Sequence, residues 1–505
     1  MDRPNVILIF TDQWRGDFLG SLGHKVMTPF LDQLAGEGIM YTSAYCATPS
    51  CIPARASLLT GMSGYSCNRI GYMDGVPWRY PVTMQGVFKD AGYQTINVGK
   101  THYYPRREGQ GFEINRLYDP QNWIDGEKSD YHIWLNEQTG GKVKDPADSM
   151  DNNGFCYIPW TYDNYLHPTE WTADTALEEM KNSDKSRPFF MQIGFHRPHP
   201  PLDPPEAYYN MYRDTDFGEA PVGDWEPEEW RRKTASNAPL FGTKSYEDRQ
   251  VALRAYCAHL THIDHQIGKL VYYLRRHDHT KNTIILFTSD HGDLLGDHCT
   301  WRKIFPYEGS AKIPMILNTP DKMIQTVNST RGYRTDATPV THMDIMPTLL
   351  SLAGILVPEN VEGIDFSGPL YEKTIEGREY IHGEHTMGET AGIQFVTDGK
   401  IKYCYDTLSG REELFNLVDD PSELRNLVNH DEYMELHRLW KQRLISALEA
   451  RSEDRLVRDG KLQSGIVLPS VRRELIEGLC PEDVHPNARK AIEAYYGEDI
   501  WKSNS

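Results

Sequence analysis

The chain has 505 residues, 39% hydrophobic and 25% charged, a composition ordinary for a folded protein and long enough for one large domain and a smaller one. Its 53 Lys and Arg against 72 Asp and Glu give a formal charge of −19, a field that repels polyanions at long range and argues against nucleic acid as a partner. A small anionic ligand stays admissible, because a local cationic pocket overrides the global field.

Met1-Asp2-Arg3-Pro4 leads into the apolar run Val6 to Phe10, too short for a secretory core or a membrane span. It reads as a buried strand. No later stretch reaches membrane length, so the expectation is a cytoplasmic protein without membrane association. Polar Thr11-Asp12-Gln13 follow the strand's carboxyl end. Thr28 is placed to cap a helix with Pro29 in its first turn, with Phe30, Leu31 and Leu34 on one face and Gly36 and Gly38 at its end.

Gln94 to Val98 is the next strand, closed by Gly99-Lys100, and Pro188 to Phe195 another, followed by a Pro/His-rich loop from His196 to Pro201. Asp203 to Thr243 reads as a long surface loop, a candidate pocket wall. Tyr246 to His277 carries Leu253, Cys257, Leu260, Ile263, Ile267 and Leu270 at helical spacing. Asn282 to Ser289 is a strongly buried strand ending in Asp290-His291-Gly292-Asp293.

This alternation predicts an α/β fold over 1–375, a large, mixed and mostly parallel central sheet flanked by helices. Such sheets place ligands outside the carboxyl ends of their strands, so Asp12, Lys100, His199 and Asp290 are expected to converge. After about Gly377 the pattern changes. Strands are expected at Glu379 to His382, Ile393 to Thr397 and Lys402 to Tyr405, then a helix at Glu432 to Arg451. That makes 376–505 a smaller C-terminal α+β domain with a tail. The tail from Asp454 onward is expected to pack on the main domain or on a neighbouring subunit, which leaves a homo-oligomer open.

Eight cysteines are dispersed with no CxxC pair, so neither a disulfide framework nor a structural zinc site is expected. Cys51 stands apart. Pro53 suits a first helical turn, which sets Cys51 just before a helix amino terminus, where developing negative charge is favoured. Arg55 would project toward the same place. On its physics alone the fragment fits a buried cysteine at a helix start beside a solvent-facing arginine better than it fits a nucleophile.

Cys51-Ile52-Pro53-Ala54-Arg55 followed by Ala56-Ser57-Leu58-Leu59-Thr60-Gly61 resembles the signature of the type I, formylglycine-dependent sulfatases of the alkaline phosphatase superfamily. Other segments resemble that family in the same order: Phe10-Thr11-Asp12-Gln13, Gly99-Lys100-Thr101-His102, Arg197-Pro198-His199, Ser289-Asp290-His291-Gly292-Asp293, Lys303 with Tyr307-Glu308 and Ile313-Pro314, His342 to Leu350, and Leu414 to Asp420-Pro421. Three positions depart from the pattern. Ala54 replaces a serine, Gln13 a second aspartate and Lys312 an arginine. Ala54 also resembles the phosphonate monoester hydrolase branch.

The resemblance implies an alkaline-phosphatase-like fold and a sulfuric ester hydrolase acting on carbohydrate or aryl sulfate monoesters. It implies oxidation of Cys51 to formylglycine by a maturation enzyme, with the hydrated gem-diol as nucleophile. It implies one divalent cation on Asp12, Gln13, Cys51, Asp290 and His291. This mostly oxygen set suits Ca²⁺ first, with Mg²⁺ or Mn²⁺ as alternatives. By the family mechanism Arg55 and Lys100 hold the diol and the anionic group. His102 is the base that lets sulfate leave, and His199 and Lys303 contact the sulfate and protonate the leaving oxygen.

The Arg-Pro-His register selects His199 over His196. Asp293 falls outside the metal shell, His262 and His265 read as structural, and His298 and Gly383-Glu384-His385 fit substrate contact or packing equally. The alternative function is a phosphonate monoester or phosphodiester hydrolase with the same nucleophile. A two-zinc phosphatase and a non-catalytic binding protein fit less well.

Overall fold

The apolar run after Pro4 forms β1 (Asn5–Asp12), buried from Val6 onward. Its alternate residues serve two cores. Ile7 and Ile9 join one hydrophobic cluster, and Val6, Leu8 and Phe10 join another. Burial on both faces explains why the run is continuously apolar instead of alternating. The structure is a computed structural model and describes residues 3–120, 126–148, 151–277, 282–320, 333–371, 373–375, 377–451 and 455–504.

The central sheet also contains β2 (Ile39–Tyr41), while β3 (Ala44–Tyr45) lies outside it. It is completed by β4 (Gln94–Gly99), β5 (Ile114–Leu117), β6 (Phe189–Pro198), β7 (Thr283–Ser289), β8 (Met315–Asn318) and β9 (Thr335–Asp336). The eight strands run in the order β5-β4-β6-β1-β7-β8-β2-β9. Pairing is parallel except at β7–β8 and β8–β2, which matches the mixed, mostly parallel sheet expected. β3 pairs separately with β10 (Val340–Thr341).

Helices α1 (Pro29–Glu37), α2 (Cys51–Thr60), α3 (Met84–Asp90), α4 (Pro168–Asn182), α5 (Tyr246–Arg276) and α6 (Ile345–Leu352) flank the sheet. α1, α4 and α5 supply Leu31, Ala173 and Leu260 to the core on one face. α2, α3 and α6 supply Ile52, Phe88 and Leu349 to the core on the other.

Several local expectations change. Thr28 precedes α1, but its hydroxyl accepts from Gly20 N at 2.8 Å and donates to Asp32 at 3.1 Å. The α1 amides of Phe30 and Leu31 instead donate to the Asp264 carboxylate of α5, at 3.2 and 2.8 Å. A tertiary partner has taken the local cap's place. Gly36 lies inside α1, and Gly38 ends it. β6 continues through His196, Arg197 and Pro198, so part of the expected loop is strand. The wall from Asp203 to Thr243 contains two short helices, Glu206–Asn210 and Glu228–Arg232, in otherwise largely irregular chain.

The C-terminal sheet is antiparallel and sequential: β11 (Ile381–Thr386), β12 (Gly392–Thr397), β13 (Ile401–Asp406) and β14 (Glu412–Asn416). β11 begins later than the expected Glu379, and β14 had no counterpart among the expected strands. Val396, Tyr403 and Leu414 pack on Trp440 and Leu444 of α7 (Met434–Glu449). Residues of the other face, Phe395 and Phe415, pack on Tyr45, Phe305 and Tyr307 of the larger part. The tail carries α8 (Pro486–Tyr496) and packs on the larger part of its own chain, with Val471, Ile476 and Ile492 against Val76. All eight cysteines are free, and Cys156 and Cys480 are exposed.

Candidate active site

Ser50 is the N-cap residue of α2, so Cys51 is itself the first helical residue and not the one before it. Cys51 is 2% exposed. His385 Nε2 lies 2.9 Å from Ser50 Oγ, which makes the Glu384-His385 segment a support for the chain entering α2. Arg55 stands one turn along on the same face. It is buried, not solvent-facing. Its guanidinium reaches Asp290 Oδ2 at 3.0 Å, Asp12 Oδ2 at 3.4 Å and the Lys100 carbonyl at 3.2 Å.

The expected convergence of strand ends is present. Asp12 ends β1, Lys100 follows β4, His199 follows β6 and Asp290 follows β7. A register shift at Thr11/Asp12 sets Asp12 opposite Pro198, and His199 N donates to Asp12 O at 3.2 Å. Lys100 Nζ lies 2.5 Å from Asp12 Oδ2. Burial acts to raise the Asp12 carboxyl, but Lys100, His199, Arg55 and Lys303 outweigh it and hold it well below the usual carboxylate range. Burial likewise opposes the Lys100 charge, and Asp12 overcomes it.

The ligand-type atoms of Asp12, Cys51, Asp290 and His291 lie within 4.8 Å of one another, all in buried residues. Cys51 Sγ is 3.2 Å from His291 Nε2 and 3.7 Å from Asp12 Oδ1. His291 Nδ1 is 2.8 Å from the Gly292 carbonyl, so that nitrogen carries the proton and the Nε2 lone pair faces the cluster. Burial lowers the His291 pKa despite Asp290, which keeps the imidazole neutral as a metal ligand requires.

Gln13 is engaged differently from the other four candidate ligands. Its amide oxygen accepts from Lys303 Nζ at 2.7 Å, and its amide nitrogen donates to Asp293. Asp293 thus orients Gln13 and also accepts from Leu295 N and Arg302 N, both at 3.0 Å, in keeping with a place outside the metal shell. Gln13 adopts φ 76° and His102 φ 64°, a left-handed conformation held at both by surrounding contacts. Gln13 O accepts from Tyr256 OH at 2.6 Å, and His102 N donates to Asp119 at 3.2 Å.

Burial and the Lys100 charge press His102 downward, but Asp74 and Cys51 prevail and raise its pKa to about 9. His199 Nδ1 faces the Pro200 carbonyl at 2.9 Å. His196 is drawn in as well, with Nδ1 3.4 Å from Lys100 Nζ and its ring 5.0 Å from that of His199.

Arg197 between them is fully buried and grips Asp203 through two bonds of 2.7 and 2.8 Å. His167 and His259 flank the same carboxylate. His298 bonds Glu226 at 2.9 Å and packs on Trp225 and Tyr307. His262 pairs with Glu170 at 3.1 Å and His265 with the Tyr208 hydroxyl at 3.3 Å, the structural roles expected of them. Asp74, Asp119 and Asp203 carry no spacing signal in the sequence, and only their contacts mark them.

The model of the family described as Sulfatase matches residues 4–355, and that of the N-sulphoglucosamine sulphohydrolase C-terminal region matches 296–450. An arylsulfatase of Clostridium perfringens is 41% identical over 466 residues, covering 89% of this chain and 95% of the relative. The chain belongs to the sulfatase family. An N-acetylglucosamine-6-O-sulfatase of Bacteroides thetaiotaomicron is 24% identical, with 85% of this chain and 84% of that one covered. The fold is shared with the phosphonate monoester hydrolase of Agrobacterium radiobacter, with TM-score 0.73 and 23% identity over 88% of this chain and 95% of that one.

This sulfatase is an enzyme that hydrolyses sulfate monoesters. Its family implies a divalent metal, and the donors fit one. Two carboxylates and a neutral imidazole converge in a buried place, chemistry suited to a hard cation. Arg55, Lys100 and Lys303 line the same site, a local cluster of basic side chains inside an otherwise acidic protein.

Proposed function

We propose that Cys51 of this sulfatase is converted to formylglycine by a maturation enzyme and that the matured protein cleaves small aryl sulfate monoesters, with sulfated sugars as the second substrate class. One observation carries the reading: Cys51 Sγ stands among Asp12, Asp290 and His291 at the first position of α2, with Arg55 and Lys100 against the same carboxylates. The relative from Clostridium perfringens, an arylsulfatase by name, supports the aryl choice.

Asp12, Asp290, His291 and residue 51 would hold the cation, Ca²⁺ by its preference for oxygen donors, with Gln13 joining if its amide oxygen leaves Lys303. When bound, that ion draws charge from a sulfate oxygen, and formylglycine supplies an oxygen nucleophile where a thiol stood. Arg55 and Lys100 neutralise and orient the sulfate and residue 51. The neutral form of His102 removes a proton at residue 51, and the raised pKa makes that form the minor one near neutral pH. His199, just after β6, and Lys303, on the Gln13 amide, contact the sulfate and supply the leaving oxygen's proton. Acid–base groups of this kind contribute about 10²–10⁴ in rate.

Matured enzyme assayed side by side on an aryl sulfate, an aryl phosphonate monoester and sulfated sugars tests the proposal. The aryl sulfate is expected to give the highest kcat/KM. A higher value for the phosphonate would move the enzyme to the phosphonate hydrolase reading that Ala54 resembles.

A further inference from the structure

The loop Tyr72-Met73-Asp74-Gly75 lies between the short motifs Cys51 to Gly61 and Gly99 to His102, yet it meets His102. Asp74 Oδ2 stands 3.4 Å from His102 Nε2, with the two side chains 10% and 3% exposed. Neither atom makes a hydrogen bond, which leaves each as the other's nearby charge partner. Each would be costly to bury alone, so each accounts for the other's burial. The edge of Tyr72 closes on the same ring, with centroids 6.0 Å apart.

Asp74 is itself held. Its Oδ1 accepts from Gly75 N at 2.8 Å, which directs Oδ2 at the imidazole. Gly75 adopts φ +78° and its carbonyl accepts from His485 N at 2.9 Å. A Cβ on Gly75 would lie 2.5 Å from that of His485, so the tail sits directly on the loop. Val76 is buried in the apolar cluster of the tail, and Arg79 pairs with Asp483 at 2.5 Å.

We propose that Asp74 is a positioning residue for His102, and that the C-terminal tail clamps the loop that carries it. The inference rests on the formylglycine reading above, in which His102 takes a proton from residue 51. His102 then removes the proton of the hydroxyl left on residue 51. The freed electron pair re-forms the carbon–oxygen double bond, and sulfate departs with the electrons of the bond it breaks. Asp74 orients the imidazole for that transfer and balances the charge it gains. The cleavage that releases the alcohol does not use it.

Asp74→Asn keeps the shape and removes the charge. It is expected to retain formylglycine, judged by peptide mass spectrometry, and to lower kcat about 10–100-fold with KM falling in step, so that kcat/KM stays within threefold of wild type. A rapid burst of alcohol, one per formylglycine, should precede slow steady turnover, and Asp74→Glu should restore part of kcat. A structural role would give no burst. Asp74→Asn with kcat within twofold of wild type, or a first turnover slowed as much as later ones, overturns the assignment. If Asp74→Asn does not fold, Asp74→Ser carries the same burst test. Wild-type protein matured alongside separates the two readings. Lack of formylglycine or turnover there strikes the parent proposal, whereas an active wild type with an unchanged variant strikes Asp74 alone.

Discussion

Lys100 Nζ and Asp12 Oδ2 lie 2.5 Å apart with both side chains fully buried, an ion pair that joins the carboxyl ends of β4 and β1 across the intervening β6. Arg55 shares the Asp12 carboxylate at 3.4 Å, so the pair is one side of a small network. Removing one partner of a buried pair strands the other charge, at a cost of about 3–5 kcal/mol. Lys100→Ala is therefore expected to lower unfolding free energy by about 3 kcal/mol, the low end because Arg55 remains. It should also reduce kcat by about 10²–10³, as loss of one charge-stabilising donor does. Urea denaturation with an unchanged slope, beside steady-state kinetics, checks both. Wild-type stability in this variant would show that the pair is not coupled as its geometry indicates.

Cys51 touches His291 at 3.2 Å but contributes little packing that alanine would forfeit beyond its sulfur. Cys51→Ala should melt within a few degrees of wild type and lose nearly all turnover. Cys51→Ser, which supplies a single hydroxyl, should turn over poorly as well. In wild type expressed with a maturation enzyme, the Cys51 peptide should be lighter than its thiol form. Turnover near wild type in Cys51→Ala, or an unmodified thiol in fully active protein, would remove residue 51 from the chemistry.

Much of this site is legible in the sequence because its residues sit at strand ends within short, ordered motifs. Asp12, Lys100, His199 and Asp290 could be expected to meet since a parallel sheet gathers its carboxyl ends. What stayed hidden depends on tertiary partners. Asp264 caps α1 from 233 residues away, where a local rule pointed to Thr28. The Arg197–Asp203 grip, Asp74 beside His102 and His385 beneath Ser50 are single contacts without periodicity or spacing. β14 carries no alternation signal because its three central residues, Glu413, Leu414 and Phe415, are buried in succession and one of them is charged.

Asp12 and Asp290 lie beside each other's ligand-type atoms, balanced in part by Arg55 and Lys100. A divalent cation bound to the folded state alone adds stability, about 2.7 kcal/mol at a hundredfold excess over its Kd. Chelator-treated enzyme is expected to lose activity and melt several degrees lower, with Ca²⁺ restoring both. Asp290→Asn should blunt the dependence of Tm on Ca²⁺ concentration as well as activity. A Tm indifferent to Ca²⁺ and to chelation in wild type would argue against a resident Ca²⁺, and metal analysis finding two zincs per chain would replace the one-cation set.

Asp264, far along α5 from the catalytic groups, offers a stability test independent of the chemistry. Burial raises its pKa from 3.8 to about 7, opposed only in part by the Leu31 and Phe30 amides it caps. Between about pH 4 and 7 the unfolded chain has released this proton while the folded chain retains it, so stability falls as pH rises through that window. The contribution is full below about pH 4 and lost above about 7. Asp264→Asn keeps an acceptor for the α1 amides and cannot ionise. Its stability relative to wild type should therefore climb across the same window and level off above it, by roughly 2–4 kcal/mol. Other groups titrate in both proteins and cancel in the difference. Thermal melts of the two at pH 4.5, 6, 7 and 8 provide the measurement. A difference that stays flat would mean Asp264 ionises freely in the folded protein and caps α1 as a carboxylate.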